Sequence, residues 1–107
     1  VTKRLEKLLR KDYSDLLEKK IQQKEELSDY LNFIKNELLL KHYTRVKEYL
    51  DLISRKWGQH EEIYMLYLQY YYETKQGERI KELIKAIEKN SIYISKENRE
   101  YLAFWQF

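Results

Sequence analysis

The chain has 107 residues and a net charge of +3, and 36% of its residues are charged with both signs mixed along its length, which bounds it at one modest core beneath a solvated surface. With no cysteine it has no disulfide framework, no thiolate nucleophile and no cysteine metal site, and with two glycines it has no glycine-rich phosphate loop. The absence of proline removes the other strong breaker, so the composition predicts an all-α chain with short turns, as a single helical domain over 1–107.

Residues 3–26 are expected to form one helix, or two divided near Asp12–Asp15, where capping residue types occur. Leu5, Leu8, Leu9, Tyr13, Leu16, Leu17 and Ile21 recur at three- and four-residue steps, which reads as a single apolar stripe on a charged cylinder. Ser28 or Asp29 is the expected cap of the next helix, which runs to Lys41 with Tyr30, Leu31, Phe33, Ile34 and Leu38 to Leu40 as its apolar positions. Thr44 is the expected cap of helix 44–56, with Val46, Tyr49, Leu50 and Ile53 inward, and Gly58 takes the left-handed position behind it. Helix 61–75 contains IYMLYLQYYY, apolar or aromatic in all but one residue, and should be buried around most of its girth. It is expected to end at Lys75-Gln76-Gly77. Helix 78–89 turns Ile80, Leu83, Ile84 and Ile87 inward. Ser95 is the expected cap of a last helix, 96–107. None of these segments reaches the roughly 20 apolar residues of a bilayer span, and with no apolar run behind the charged first residues a secretory leader is not expected among them.

The segment 44–56 lies over 78–90 without a gap. Arg45 falls on Arg79, Lys47 on Lys81, Glu48 on Glu82, Leu50 on Ile84 and Ile53 on Ile87. The same offset of 34 puts Tyr30 on Tyr64, Phe33 on Tyr67, Ile34 on Leu68 and Lys41 on Lys75, then Tyr67 on Tyr101 and Leu68 on Leu102. A helix pair at this period resembles the tetratricopeptide repeat (TPR). The resemblance covers 29–107, with a looser extension to 10–25. The family's first-helix tryptophan and glycine and its later proline are absent. Gly77 matches the turn glycine in one unit, where Tyr43 stands in the other, and Ala86 matches a small packing residue replaced by Leu52.

The resemblance implies antiparallel helix pairs, 29–56 and 61–90, stacked as a short right-handed array of about five or six helices. It also implies a non-catalytic protein- or peptide-binding or assembly module, standing alone or within a larger protein. Arrays of this kind occur in bacterial peptide-sensing transcription regulators and as helical appendages of bacterial glycosyltransferases, and the Lys-, Ile-, Tyr- and Asn-rich composition suits an AT-rich genome. An accessory domain of such an enzyme is therefore one alternative. A nucleic-acid-associated regulator is another, resting on Arg45, Lys47, Arg55, Lys56, Arg79, Lys81, Lys85 and Lys89, with carboxylates interleaved among them.

The binding-face candidates are Lys35 and Asn36 in the first pair and Tyr67, Tyr70 and Tyr71 in the second. Tyrosine buries a large ring at small entropic cost and still hydrogen bonds. Tyr101, Phe104, Trp105 and Phe107 form an aromatic C-terminal end that is a candidate docking or homodimer surface. His42 and His60 are read as turn residues, and the carboxylates as helix ends or partners of lysines. No metal, cofactor or catalytic group is expected, and a cysteine-free chain fits a reducing, cytoplasmic setting.

Overall fold

In the computed structural model, residues 2–105 are described, with side chains from Lys3 to Ala103. The fold is all-α: α1 (Thr2–Gln23), α2 (Leu27–Leu39), α3 (Tyr43–Trp57), α4 (Glu61–Glu73), α5 (Gly77–Lys89) and α6 (Lys96–Trp105). The chain divides into two compact units, Val1–Trp57 and Gly58–Phe107. Each contains a helix hairpin, α2–α3 in the first and α4–α5 in the second, a helical-repeat-like architecture in general terms.

In the first unit α1 packs on α2 and α2 on α3. Leu17 and Ile21 of α1, Tyr30, Phe33, Ile34 and Leu38 of α2, and Val46, Leu50 and Ile53 of α3 are buried. The ring of Tyr30 meets Trp57 edge-on at 5.6 Å, and Phe33 meets Tyr49 at 4.8 Å. In the second unit Leu68, Ile80 and Ile84 form the core, with Met65, Tyr71, Leu83 and Leu102 packed against it. Within α4 only Gln69 and Tyr72 are exposed.

The hairpins repeat at the level of backbone bonds. At the end of α2, Lys41 N–H donates to the Leu38 carbonyl and His42 N–H to the Glu37 carbonyl; at the end of α4, Lys75 N–H donates to Tyr72 and Gln76 N–H to Tyr71. Every member of the second set stands 34 positions after its counterpart. This is the Schellman pattern, which satisfies the last carbonyls of a helix by turning one residue left-handed. Ser91 and Ile92 close α5 in the same way, donating to Glu88 and Ile87. Burial repeats too: Val46, Leu50 and Ile53 are matched by Ile80, Ile84 and Ile87, and Ile34 by Leu68. Burial pushes the hydroxyl pKa of Tyr30 and of its counterpart Tyr64 upward, with Tyr49 adding to the shift at Tyr30.

Several expected boundaries move. α1 is unbroken through Asp12–Asp15, because Ser14 is buried and its hydroxyl accepts a bond from Asn36 of α2 instead of capping a helix. α2 starts at Leu27 behind Glu26, which makes no side-chain cap bond, so neither Ser28 nor Asp29 is the cap. Thr44 lies inside α3. Gly58 is left-handed as expected, with φ 67°. Gly77, however, is the first residue of α5, and the left-handed residue ending α4 is Lys75. Ser95 does cap α6, its hydroxyl accepting from Asn98 N–H at 3.4 Å.

Lys41, Lys75 and Ser91 thus hold φ of 61°, 59° and 50° with a Cβ, a conformation costing each about 1 kcal/mol that glycine does not pay. Replacing any one by glycine is expected to raise stability by about 0.5–1 kcal/mol, read as a higher urea midpoint at unchanged slope.

Candidate binding groove

The second unit carries an open groove of about 570 Å³ that runs from the C-terminal end of α4 along α5. Its floor is Ile80 and Ile84. Tyr71 and Tyr72 form one wall, and Lys75, Lys81 and Lys85 stand around it with Glu88. The floor follows from the period of α5: Ile80, Ile84 and Ile87 share one face at four- and three-residue steps, and the lysines occupy the adjoining face. The wall follows from the run Tyr70-Tyr71-Tyr72 at the end of α4, where successive positions fan around the helix. Tyr71 therefore packs on the core while Tyr72 stays 57% exposed.

Tyr67, Tyr70 and Tyr71 come together. The rings of Tyr67 and Tyr71 are 5.9 Å apart and those of Tyr70 and Tyr71 are 5.6 Å apart, but Tyr71 alone of the three lines the groove. Lys35 is exposed on α2. Asn36 is 3% exposed, and its amide donates at 2.6 Å to the Arg10 carbonyl and at 2.6 Å to the Ser14 hydroxyl, so it fastens α1 to α2. Tyr101 is exposed on α6. The side chains of Phe104 and Trp105 and all of Phe107 lie outside the described residues.

Sequence reasoning did not single out Tyr72, Ile80, Ile84 or Lys75. The isoleucines read as core, which they also are: Ile80 and Ile84 are 8% and 7% exposed, where Val46 and Leu50 are 0%. Nothing in the helical period separates a core residue from a groove floor.

Most of the basic positions of α3, and Arg79 of α5, are paired with carboxylates. Arg45 pairs with Glu18 and Glu37, Lys47 with Asp51, Lys56 with Glu25 and Arg79 with Glu82. Lys81 is 3.8 Å from Glu78, a long and exposed pair worth little. His42 pairs with the buried Glu37, and His60 caps α4 by accepting from Glu62 N–H at 3.2 Å. Among the described residues no His, Asp and Glu side chains converge as a metal site, and no described helix is long and apolar enough to cross a membrane.

The far end of the unit is tied by a carboxylate. Glu61 accepts the Ser95 N–H at 2.6 Å, and Asn98 donates to Glu62 at 3.4 Å. The Ser95 amide holds the Glu61 pKa below its usual value of 4.5, against the opposing effect of burial. A lowered carboxylate pKa gives stability that is present above the unfolded value and lost as pH falls through the folded one. Acidification below about pH 4.5 is therefore expected to release the start of α6, seen as faster hydrogen exchange at Ser95. Glu61→Gln should flatten that pH dependence.

No protein-family model, curated protein or solved structure matches the chain.

Proposed function

We propose that the chain is a protein- or peptide-binding module without catalytic activity, built as a degenerate TPR-like array of helix pairs and working in a reducing, cytoplasmic setting. The observation that carries this reading is the groove of the second unit: an apolar floor, a tyrosine wall and three lysines against one glutamate. Such a surface favours a segment that presents aliphatic or aromatic anchors to Ile80, Ile84, Tyr71 and Tyr72 and carboxylates to the lysines. The 34-residue recurrence of identical helix ends supports the array. Nucleic acid is the weaker reading, because Arg45, Lys47, Lys56 and Arg79, four of the eight cations it would use, stand beside carboxylates.

Selection from a random 15-residue peptide library tests this. Enriched peptides should combine Leu, Ile or Phe with Asp and Glu. Their affinity should fall at least tenfold with Tyr72→Ala and with Lys85→Glu, two changes outside the buried core. No enrichment, or binding indifferent to both changes, would sink the proposal.

A further inference from the structure

Two rows of side chains run along α5 at the four-residue step. Ile80 and Ile84 form an apolar row on the groove floor, and Lys81 and Lys85 form a cationic row beside it. Rows of this step are the ridges that one helix offers to another, and a second helix packs by laying a ridge of its own along the trough between them. The lining extends along α5 from Gly77 to Glu88, which at 1.5 Å per residue is about 16 Å, or about three helical turns. Tyr71 and Tyr72 close the trough on the α4 side.

The backbone around the groove disfavours an extended occupant. A strand docks by bonding its amides and carbonyls to a free edge. Ile80, Lys81, Ile84 and Lys85 lie inside α5, where the backbone groups bond one another. At the end of α4, Lys75 and Gln76 donate to the Tyr72 and Tyr71 carbonyls, which closes that helix too. An extended chain laid over Ile80 and Ile84 would therefore leave its own backbone polar groups unpaired on an apolar floor. A helix brings its backbone already bonded.

Charge narrows the occupant further. Within the groove Lys75, Lys81 and Lys85 stand with Glu88 alone, and Glu78 lies 3.8 Å from Lys81. A second copy of this chain offers no helix to match them. Every described helix except α4 carries Lys or Arg, and α4 is packed in its own hairpin with only Gln69 and Tyr72 exposed. Resting on the peptide-binding reading above, we infer that the groove receives an acidic amphipathic α-helix of another protein. Its apolar side chains, three and four residues apart, sit on Ile80, Ile84, Tyr71 and Tyr72, and a row of carboxylates lies over Lys81 and Lys85.

The probe is the peptide most enriched from the 15-residue library, as selected and in variants. Alanine scanning should weaken binding at positions three and four apart. α-Aminoisobutyrate, which favours helix over strand, should tighten binding at least threefold when placed at two positions insensitive to alanine. Proline at the central residue should weaken it at least thirtyfold. Charge reversal then measures the row directly. Lys81→Glu and Lys85→Glu change exposed positions, and each should be rescued by lysine in place of one peptide carboxylate. The two rescuing positions should be three or four residues apart. In an extended peptide they would be two apart, since four helical residues and two extended ones both span about 6–7 Å. Alanine sensitivity at every second residue, rescue at a spacing of two, or weakening by α-aminoisobutyrate overturns the helix and leaves a peptide-binding groove. Absence of any enriched peptide removes the groove reading itself, and the inference with it. Self-association of the chain that is lost with Lys85→Glu gives the face to a second copy and overturns the inference.

Discussion

Arg45→Met is expected to lower the stability of the chain by about 2–3 kcal/mol. Glu37 is the reason. Its side chain is 1% exposed, and it sits on α2 within reach of His42 and of Arg45, whose guanidinium nitrogen is 3.3 Å from Oε1. That oxygen has no hydrogen bond of good geometry, so the arginine's charge compensates it more than any directed bond does. Arg45 also reaches Glu18 of α1 and lies over the Phe33 ring at 5.2 Å, so one side chain on α3 ties all three helices of the first unit. Methionine keeps much of the packing on Phe33 and removes only the charge. A fully buried pair broken at one end costs about 3–5 kcal/mol, but Arg45 is 42% exposed, and water will reach part of the space it leaves. The double variant Arg45→Met, Glu37→Leu should recover most of the loss, since the buried charge goes with its partner. Urea denaturation of the four members of the cycle checks both statements. A single-variant loss below about 0.5 kcal/mol would mean that Glu37 is served by His42 alone.

Helix existence and spacing were legible because they depend on short-range pattern. Gaps of three and four between apolar residues, with Gly58, Ser95 and Lys41-His42 between segments, placed all six helices to within a few residues. The 34-residue offset was legible for the same reason, and it survives in the turn bonds at Lys41 and Lys75. What failed was whatever another helix decides. Asn36 looks like a surface amide until Ser14 and the Arg10 carbonyl stand opposite it. Leu16 and Leu17 are neighbours in sequence, yet Leu16 is 52% exposed and Leu17 is 2%. A period of 3.6 admits both into one broad stripe, and only the position of α2 selects between them. The caps failed differently. Ser28, Asp29 and Thr44 have the right chemistry for a helix start, but each lies inside its helix. At the end of α4, Lys75 accepts the left-handed strain although Gly77 is two residues away, because the Schellman bonds of Lys75 and Gln76 fix where the chain must turn.

In the second unit, Leu68→Ala is expected to cost about 3 kcal/mol, and Tyr72→Ala less than about 0.5 kcal/mol. The two residues are one turn apart on α4 and differ in what surrounds them. Leu68 is fully buried among Ile80, Ile84, Met65 and Leu102, side chains from three helices, so truncation leaves a cavity that none of them can close alone. Tyr72 is 57% exposed at the groove wall, and truncation there removes surface that already meets water. Ile84 falls between: it is 7% exposed, and Ile84→Ala should cost about 2 kcal/mol, because its cavity opens towards the groove and can hydrate or collapse. This ordering, measured by urea denaturation, bears on function as well as on packing. If Tyr72→Ala proved as costly as Leu68→Ala, the wall would be part of the core, and the loss of peptide binding in that variant would report unfolding. With Tyr72→Ala mild and Leu68→Ala severe, the groove is a surface laid over a finished core, and loss of peptide binding in Tyr72→Ala reports the groove and not unfolding.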